Sequence, residues 1–378
     1  MRVAVVGAGP AGSLLAWRLA RDGADVTVYD PSHPREKPCG GGVTARALDR
    51  LPPAPADDPL PGREVSDCRF ESGEGEWVDV RLTRPMLVAS RRDLDAWLLR
   101  RATAVGARHV AERVRAVEDD GRLRTAGGEA VFDTVVGADG ATSLVRRTFL
   151  GPTPTERLMI AAGWFARGTT PALVRFAPGM AGYLWLFPRP DHVGVGICAP
   201  LGAVPTRHLL SRLEREAGRH FPALVDDEAG RYAATIPSPD TDETSIREIA
   251  GSRWALVGDA AALADPVTGE GIHHALRSAE ILADTLRDTG SPEGYPERLL
   301  EDFGRDLLKA AAVRDRFFAP GFPGRMVRYA AWSPIIRRVL ADLMLGEQGY
   351  LDLKRRLLRA GPRFLLEAGV KRLRGADR

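Results

Sequence analysis

The sequence predicts an α/β protein with an α+β insert: a βαβ unit, an antiparallel sheet set into it, and a helical C-terminal region. Three observations predict this. An apolar strand runs into a glycine turn and a helix at the N-terminus. Short alternating stretches rich in Val, Phe, Trp and Gly fill Leu158 to Cys198. A second apolar strand followed by glycines returns at Trp254 to Val257.

The elements follow in order. Val3 to Val6 is all apolar, as a parallel strand buried on both faces requires. Pro10 suits a first helical turn, Leu14, Leu15 and Leu19 supply a buried stripe, and Gly23 marks the stop. Val26 to Asp30 is the second strand. Residues 31–65 are Pro- and Gly-rich, with a short helix expected near Thr44 to Leu51. Arg91 to Val105 reads as an amphipathic helix through Leu94, Trp97, Leu98 and Ala102, and two strands ending in Val131 to Val136 follow it. A long helix is expected from Gly271. From Phe303 the chain reads as helical, broken by Pro320, Pro323, Pro334 and Pro362. The division expected is a discontinuous nucleotide-binding domain (1–65, 90–150, 250–300), a substrate-binding sheet domain (66–89, 151–249) and a helical region (301–378).

Composition narrows the function. The chain of 378 residues has 44% hydrophobic and 27% charged residues, enough to bury a core without disulfides. A formal net charge of only +3 implies no global field for nucleic acid, and no nucleic-acid partner is expected. Its 3 cysteines, Cys39, Cys68 and Cys198, have no metal-binding spacing and point to a reducing compartment. There is no secretory signal pattern, and no run approaches the roughly 20 apolar residues that span a bilayer. A cytoplasmic location is expected, with peripheral contact on the inner membrane face left open.

Gly7-Ala8-Gly9-Pro10-Ala11-Gly12 is a G-x-G-x-x-G between strand and helix. The first glycine permits the tight turn, the second lets backbone approach a pyrophosphate, and the third allows close helix–strand packing. Asp30 closes the second strand, where an acid hydrogen-bonds a ribose hydroxyl. Two further strand-end turns carry acids: Val135-Val136-Gly137-Ala138-Asp139-Gly140, and Leu256-Val257-Gly258-Asp259, the latter followed by Asp265-Pro266 and Gly269-Glu270-Gly271-Ile272. An aspartate at a strand end can hold ribityl hydroxyls, and glycines opening a helix can bring backbone N–H groups to a flavin edge. For Asp139 an ordinary turn aspartate is the competing reading. These motifs in this order resemble the aromatic-hydroxylase-type FAD superfamily. The resemblance implies FAD as cofactor, with Gly7, Gly9, Gly12 and Asp30 on its ADP half, Arg91 in contact with it, and the Val114 backbone beside adenine.

The substrate side is marked by Cys39-Gly40-Gly41-Gly42 and by Tyr183-Leu184-Trp185-Leu186-Phe187-Pro188. Three consecutive glycines cost backbone entropy and are kept where a ligand or a backbone passes closely. Tyr183, Trp185 and Phe187 share one face of a strand. Taken alone, that face reads as core packing, and Cys39 as a small loop residue. Taken together, the two motifs resemble the geranylgeranyl reductase family, whose corresponding loop and strand shape a pocket for a prenyl chain. Met180, Arg189 and Asp30 depart from that family's more usual proline, lysine and glutamate.

The resemblance implies reduction of isolated carbon–carbon double bonds in an isoprenoid lipid, diphosphate or quinone. Hydride comes from N5 of reduced flavin, and a proton from Tyr183, Cys39, water or the flavin itself. The shared scaffold also admits a flavin monooxygenase, and from another class a non-catalytic flavoprotein. A halogenase is a distant third, since its Trp-x-Trp-x-Ile-Pro pattern is absent. No second dinucleotide fingerprint identifies the electron donor, and NAD(P)H and ferredoxin both remain candidates. His273 and His274 read as surface or satisfied core residues, and Glu270 as an acid that suits a helix N-terminus. The basic amphipathic stretch from Tyr350 to Leu358, continuing to Arg374, suits either an anionic membrane surface or a solvated face.

Overall fold

A computed structural model of the chain describes residues 1–220, 230–359 and 361. Five parallel strands form the first sheet, in the order Trp254–Leu256, Thr134–Gly137, Arg2–Val6, Asp25–Tyr29 and Arg108–Val110. Arg2–Val6 is central, and Val3, Ala4 and Val5 are wholly buried. The glycine turn follows it, and Pro10 opens the helix Pro10–Arg21. That helix stops at Gly23 (φ 88°), where backbone bonds from Gly23 to Ala20 and from Ala24 to Leu19 close the end. Ser90 caps the helix Arg91–Ala104 by accepting from the Asp93 N–H at 3.4 Å. The long helix Ile272–Thr289 packs beside Pro10–Arg21 and ends on Gly290 (φ 72°).

The second sheet has eight strands, in the order Tyr232–Pro237, Leu158–Ala166, Val193–Pro200, Tyr183–Pro188, Ala172–Phe176, Arg63–Glu71, Trp77–Val88 and Gly42–Val43. It departs from the expected all-antiparallel sheet at one pair: Ala172 to Arg175 runs parallel to Cys68 to Glu71. A hairpin forces antiparallel neighbours, but a long excursion of chain separates these two strands, so nothing imposes the reversal. The Cys-Gly-Gly-Gly segment contributes the far edge, with Gly42 and Val43 paired to Val88 and Leu87. Leu184 and Leu186 face Leu209, Leu213 and Ala217 of the helix Thr206–His220. Tyr183 and Trp185 face the other way.

A small third sheet joins Ala116–Val117, Arg122–Arg124 and Glu129–Val131. The C-terminal helices Arg305–Phe317, Phe322–Trp332 and Pro334–Met344 close the molecule, and the last two pack on the Trp77–Val88 strand. Pro323 and Pro334 stand in first turns instead of interrupting helices, because there no N–H is needed. Residues 350–359 are helical; from residue 362 the expected basic stretch to Arg374 lies outside the described residues.

Candidate active site

A cavity of about 990 Å³ lies between the two large sheets, at the upper end of the range for small-molecule sites. Gly7, Gly9, Pro10 and Ala11 line it from the first strand–helix turn. Gly7 has φ 104°, and a β-carbon there would lie 2.4 Å from the Ala138 carbonyl, so only glycine lets the two strand ends meet. Gly12 does not reach the cavity: its missing side chain accommodates the Gly7 carbonyl, at 2.0 Å from an added β-carbon.

Asp30 lines the same wall. Its Oδ2 accepts from Ala8 N–H at 3.0 Å, and its Oδ1 accepts from the N–H and hydroxyl of Ser32 at 2.9 and 2.6 Å. Burial opposes its charge, but these hydrogen bonds outweigh it and hold the carboxyl below its usual range. Oδ1 already accepts two bonds, whereas Oδ2 accepts one and keeps lone-pair capacity for a hydroxyl. Arg91 lines the cavity, forked onto Asp95 by two 2.8 Å bonds, and its Nη2 lies 3.8 Å from an added Gly9 β-carbon. Burial disfavours that guanidinium's charge, yet the Asp95 carboxylate more than offsets it. Val114 is also in the lining, flanked by Arg113 and Arg115.

Asp139, Gly140, Gly258 and Asp259 bring the two other strand ends to the cavity. Asp139 Oδ2 accepts from Leu144 N–H at 2.6 Å, whereas its buried Oδ1 has no hydrogen-bond partner among the described residues, and burial raises its pKa. Asp259 Oδ2 pairs with Lys37 Nζ at 3.2 Å. Gly269, Glu270, Gly271 and Ile272 open the long helix against the same space, while Pro266 is buried behind them, outside the lining. Glu270 is committed to structure, accepting from Thr44 Oγ1 at 2.7 Å and pairing with Arg46. His273 and His274 are buried core residues; burial, reinforced by Arg46, lowers their pKa values to about 2 and about 4.

The second sheet supplies an uncharged wall. Tyr183, Trp185 and Phe187 line the cavity together with Cys68, Phe70 and Met86, while Pro188 stays in the strand, outside the lining. The Tyr183 hydroxyl donates to the Thr268 carbonyl, and burial pushes its pKa well above the usual value. Cys39, Gly40, Gly41 and Gly42 border both walls. Gly40 sits so close to the aromatic strand that a β-carbon would lie 2.8 Å from the Phe187 ring and 3.2 Å from Trp185 Nε1. Cys39 is half-buried; its Sγ accepts from Gly41 N–H at 3.3 Å, and its thiol hydrogen has no acceptor among the described residues.

The residues that sequence reasoning missed are mostly apolar: Phe70, Leu82, Met86, Val174, Ile236, Met344 and Leu345. The alternation of Val78, Val80 and Leu82 signalled an inward face but not a cavity wall. Lys37 was legible only as a neighbour of Cys39.

The site fits FAD. The orphaned buried Asp139 oxygen awaits a hydroxyl, the glycine turn leaves backbone open at a helix N-terminus, and arginines stand on that wall. No group of residues that could hold a metal ion occurs among the described residues, and no helix there is long and apolar enough to cross a membrane.

Comparison with known proteins adds the lineage. Residues 5–48 match the family model of the NAD(P)-binding Rossmann-like domain. Menaquinone reductase of Mycobacterium tuberculosis is 31% identical, over 90% of this chain and 91% of that protein. Digeranylgeranylglycerophospholipid reductase 2 of Methanopyrus kandleri is 28% identical over 82% and 86%. Among solved structures, a geranylgeranyl bacteriochlorophyll reductase-like protein of Thermoplasma acidophilum superposes with a TM-score of 0.76 at 21% identity, covering 95% of this chain and 98% of that one. A flavin-dependent brominase superposes with a TM-score of 0.72 at 18% identity, so the fold alone does not single out one flavin reaction.

Proposed function

Because the chain belongs to the geranylgeranyl reductase family of FAD-dependent oxidoreductases, we propose that it hydrogenates isolated double bonds of a prenyl chain in an isoprenoid lipid, diphosphate or quinone. One observation carries the reading: a single cavity joins a nucleotide-binding wall to a sheet face whose lining side chains are all uncharged. An apolar chain is desolvated at little cost against such a face, whereas a charged substrate segment would lack partners there.

Gly7, Gly9, Pro10, Ala11 and Asp30 would hold the ADP half of FAD, with Arg91 and Val114 beside it. Asp139, Gly140, Gly258 and Asp259 would take the ribityl chain, and Gly269, Gly271 and Ile272 the flavin edge, with Gly12 and Pro266 supporting from behind. When bound and reduced, FAD supplies the hydride. The protein's own task is to present the alkene, exclude water and deliver a proton, since an isolated alkene has no carbonyl to stabilise the charge that hydride addition creates.

Tyr183, Trp185, Phe187 and Gly40 to Gly42 would fix the chain, with Pro188 supporting the strand. For the proton we place Cys39 ahead of Tyr183. The Tyr183 hydrogen is occupied by the Thr268 carbonyl, while the Cys39 thiol hydrogen is uncommitted. NAD(P)H or ferredoxin would reduce the cofactor. Peripheral contact at the inner membrane face would admit a lipid substrate.

The test is anaerobic turnover. FAD-loaded protein, reduced and mixed with a menaquinone or a prenyl diphosphate without oxygen, is expected to give a product heavier by two hydrogens. Product formed only with oxygen, carrying an added oxygen atom, would establish monooxygenase action instead.

A further inference from the structure

Arg189 follows the aromatic strand directly, and its side chain is 0% exposed. A guanidinium withdrawn from water needs partners, and here both terminal nitrogens have them, while Nε has none among the described residues. Nη2 donates to the Cys39 carbonyl at 2.8 Å. Nη1 donates to Glu36 Oε1 at 3.0 Å and to His192 Nε2 at 3.1 Å. Arginine carries no acceptor, so His192 Nε2 must accept here, leaving Nδ1–H to face Asp191 at 2.7 Å. The guanidinium also covers the Phe165 ring at 4.7 Å from its centroid.

Glu36 extends the connection. Its carboxylate accepts from Ser90 Oγ at 2.6 Å and from Arg91 N–H at 3.1 Å, at the N-terminus of the helix that carries Arg91 to the nucleotide wall. One buried cation therefore ties the end of the aromatic strand, the loop bearing Cys39 and the start of that helix. None of these segments is adjacent in sequence to all the others.

We infer that Arg189 is a positioning residue for the Cys39 to Gly42 loop: by gripping the Cys39 carbonyl from behind, it sets where the thiol stands in the cavity. That this loop borders a substrate rests on the function proposed above; the grip itself does not. The sheet edge holds Gly41 and Gly42, through the Ala89 N–H donating to the Gly41 carbonyl at 2.9 Å and the pairing of Gly42 with Val88, but Cys39 lies beyond that pairing. Gly41 has φ 83°, and a β-carbon there would lie 2.2 Å from the Ala89 carbonyl and 3.2 Å from Arg189 Nε, so the backbone lies pressed between that strand end and the guanidinium. A planar fork reaches the carbonyl and the carboxylate at once, which the single nitrogen of lysine does less well.

The test uses the full-length, FAD-loaded, oxidised protein and N-ethylmaleimide, with alkylation of each cysteine followed by mass spectrometry. Cys198 is buried outside the cavity lining and Cys68 is buried on its wall, so acceleration of both along with Cys39 would mark global opening. Arg189→Met removes the donors while keeping most of the apolar stem. Its Cys39 is expected to react about fivefold faster or more, with Cys68 and Cys198 unchanged and Arg189→Lys intermediate. A Cys39 rate within about twofold of the parent would overturn the inference, as would equal acceleration of all three cysteines. Should Arg189→Met fail to fold, Arg189→Lys and His192→Leu, which disturb the same fork, decide by the same criterion. Alkylation requires no substrate, so an error in the proposed reaction would leave this result readable.

Discussion

A methyl group on Gly40 would meet the Phe187 ring at 2.8 Å, closer than real β-carbons come, and would crowd the Trp185 indole at 3.2 Å. Both rings stand on the cavity wall, so Gly40→Ala must displace them or push the Cys39 loop outward. The variant is expected to retain FAD, to lose about 1–3 kcal/mol of stability as overpacking does, and to lose at least tenfold or so in kcat/KM. Flavin absorbance after gel filtration and steady-state turnover separate these effects. Cys39 and Tyr183 part company on the same wall. Tyr183→Phe forfeits a hydrogen bond to the Thr268 carbonyl and leaves that carbonyl short of a partner, a loss of about 1–2 kcal/mol seen in urea unfolding. If Cys39 supplies the proton, Tyr183→Phe keeps most of its turnover, whereas Cys39→Ala loses about a hundredfold. The reverse ranking would return the role to Tyr183. Sequence reasoning found these residues because glycine runs and alternating aromatics are local patterns. It left Arg189 as a mere departure from a family habit, because a guanidinium's partners 150 residues away leave no local trace.

The elements were legible wherever periodicity and punctuation coincide. Gly23 and Pro10 bracket the first helix as expected, and Ser90 and Gly290 mark ends for the same reasons. The parallel pair within the second sheet was not legible, since strand direction depends on a path through the first sheet. The long helix Ile272–Thr289 carries a testable consequence of its burial. His273 and His274 occupy its first turn and are held neutral by the fold, their pKa values lowered from 6.5 to about 2 and about 4. The unfolded chain takes up these protons once the pH drops below about 6.5, so protons favour unfolding. Stability present above that pH is lost as it falls towards 4, with a slope of up to about 1.4 kcal/mol per pH unit for each histidine. Asp30 and Glu36, whose pKa values are lowered by the fold, add to the loss only at still more acid pH. Urea midpoints measured at about pH 7.5, 6 and 5 check the slope. His273→Gln is expected to flatten it by about half, and an unchanged slope would mean that the histidine is not the source.

At the scale of the molecule, two distant parts of the chain meet at the turn from Asp265 to Gly271. The aromatic strand arrives through Tyr183, whose hydroxyl bonds Thr268. The C-terminal segment arrives through Tyr350, whose hydroxyl donates to Asp265 Oδ1 at 3.1 Å. That same oxygen accepts from the N–H groups of Val267 and Thr268 at 2.7 and 2.9 Å. The turn in turn delivers Gly269 and Gly271 to the cavity, and Met344 and Leu345, just before Tyr350, line it as well. None of this convergence was visible in the sequence, where Tyr350 belonged to a basic amphipathic stretch with no tie to the nucleotide motifs. Asp265 is buried, and burial already raises its pKa; removing a donor leaves its charge less supported. Tyr350→Phe is therefore expected to cost about 1.5–3 kcal/mol of stability, the range for a hydrogen bond to a charged group, and to weaken FAD retention although Tyr350 does not line the cavity. Because Tyr183 and Tyr350 grip one turn, their losses should not add. A double-mutant cycle with Tyr183→Phe is expected to give a coupling of at least about 0.5 kcal/mol, read from urea unfolding of the FAD-loaded protein. Simple additivity would mean that the strand and the C-terminal segment brace separate structures.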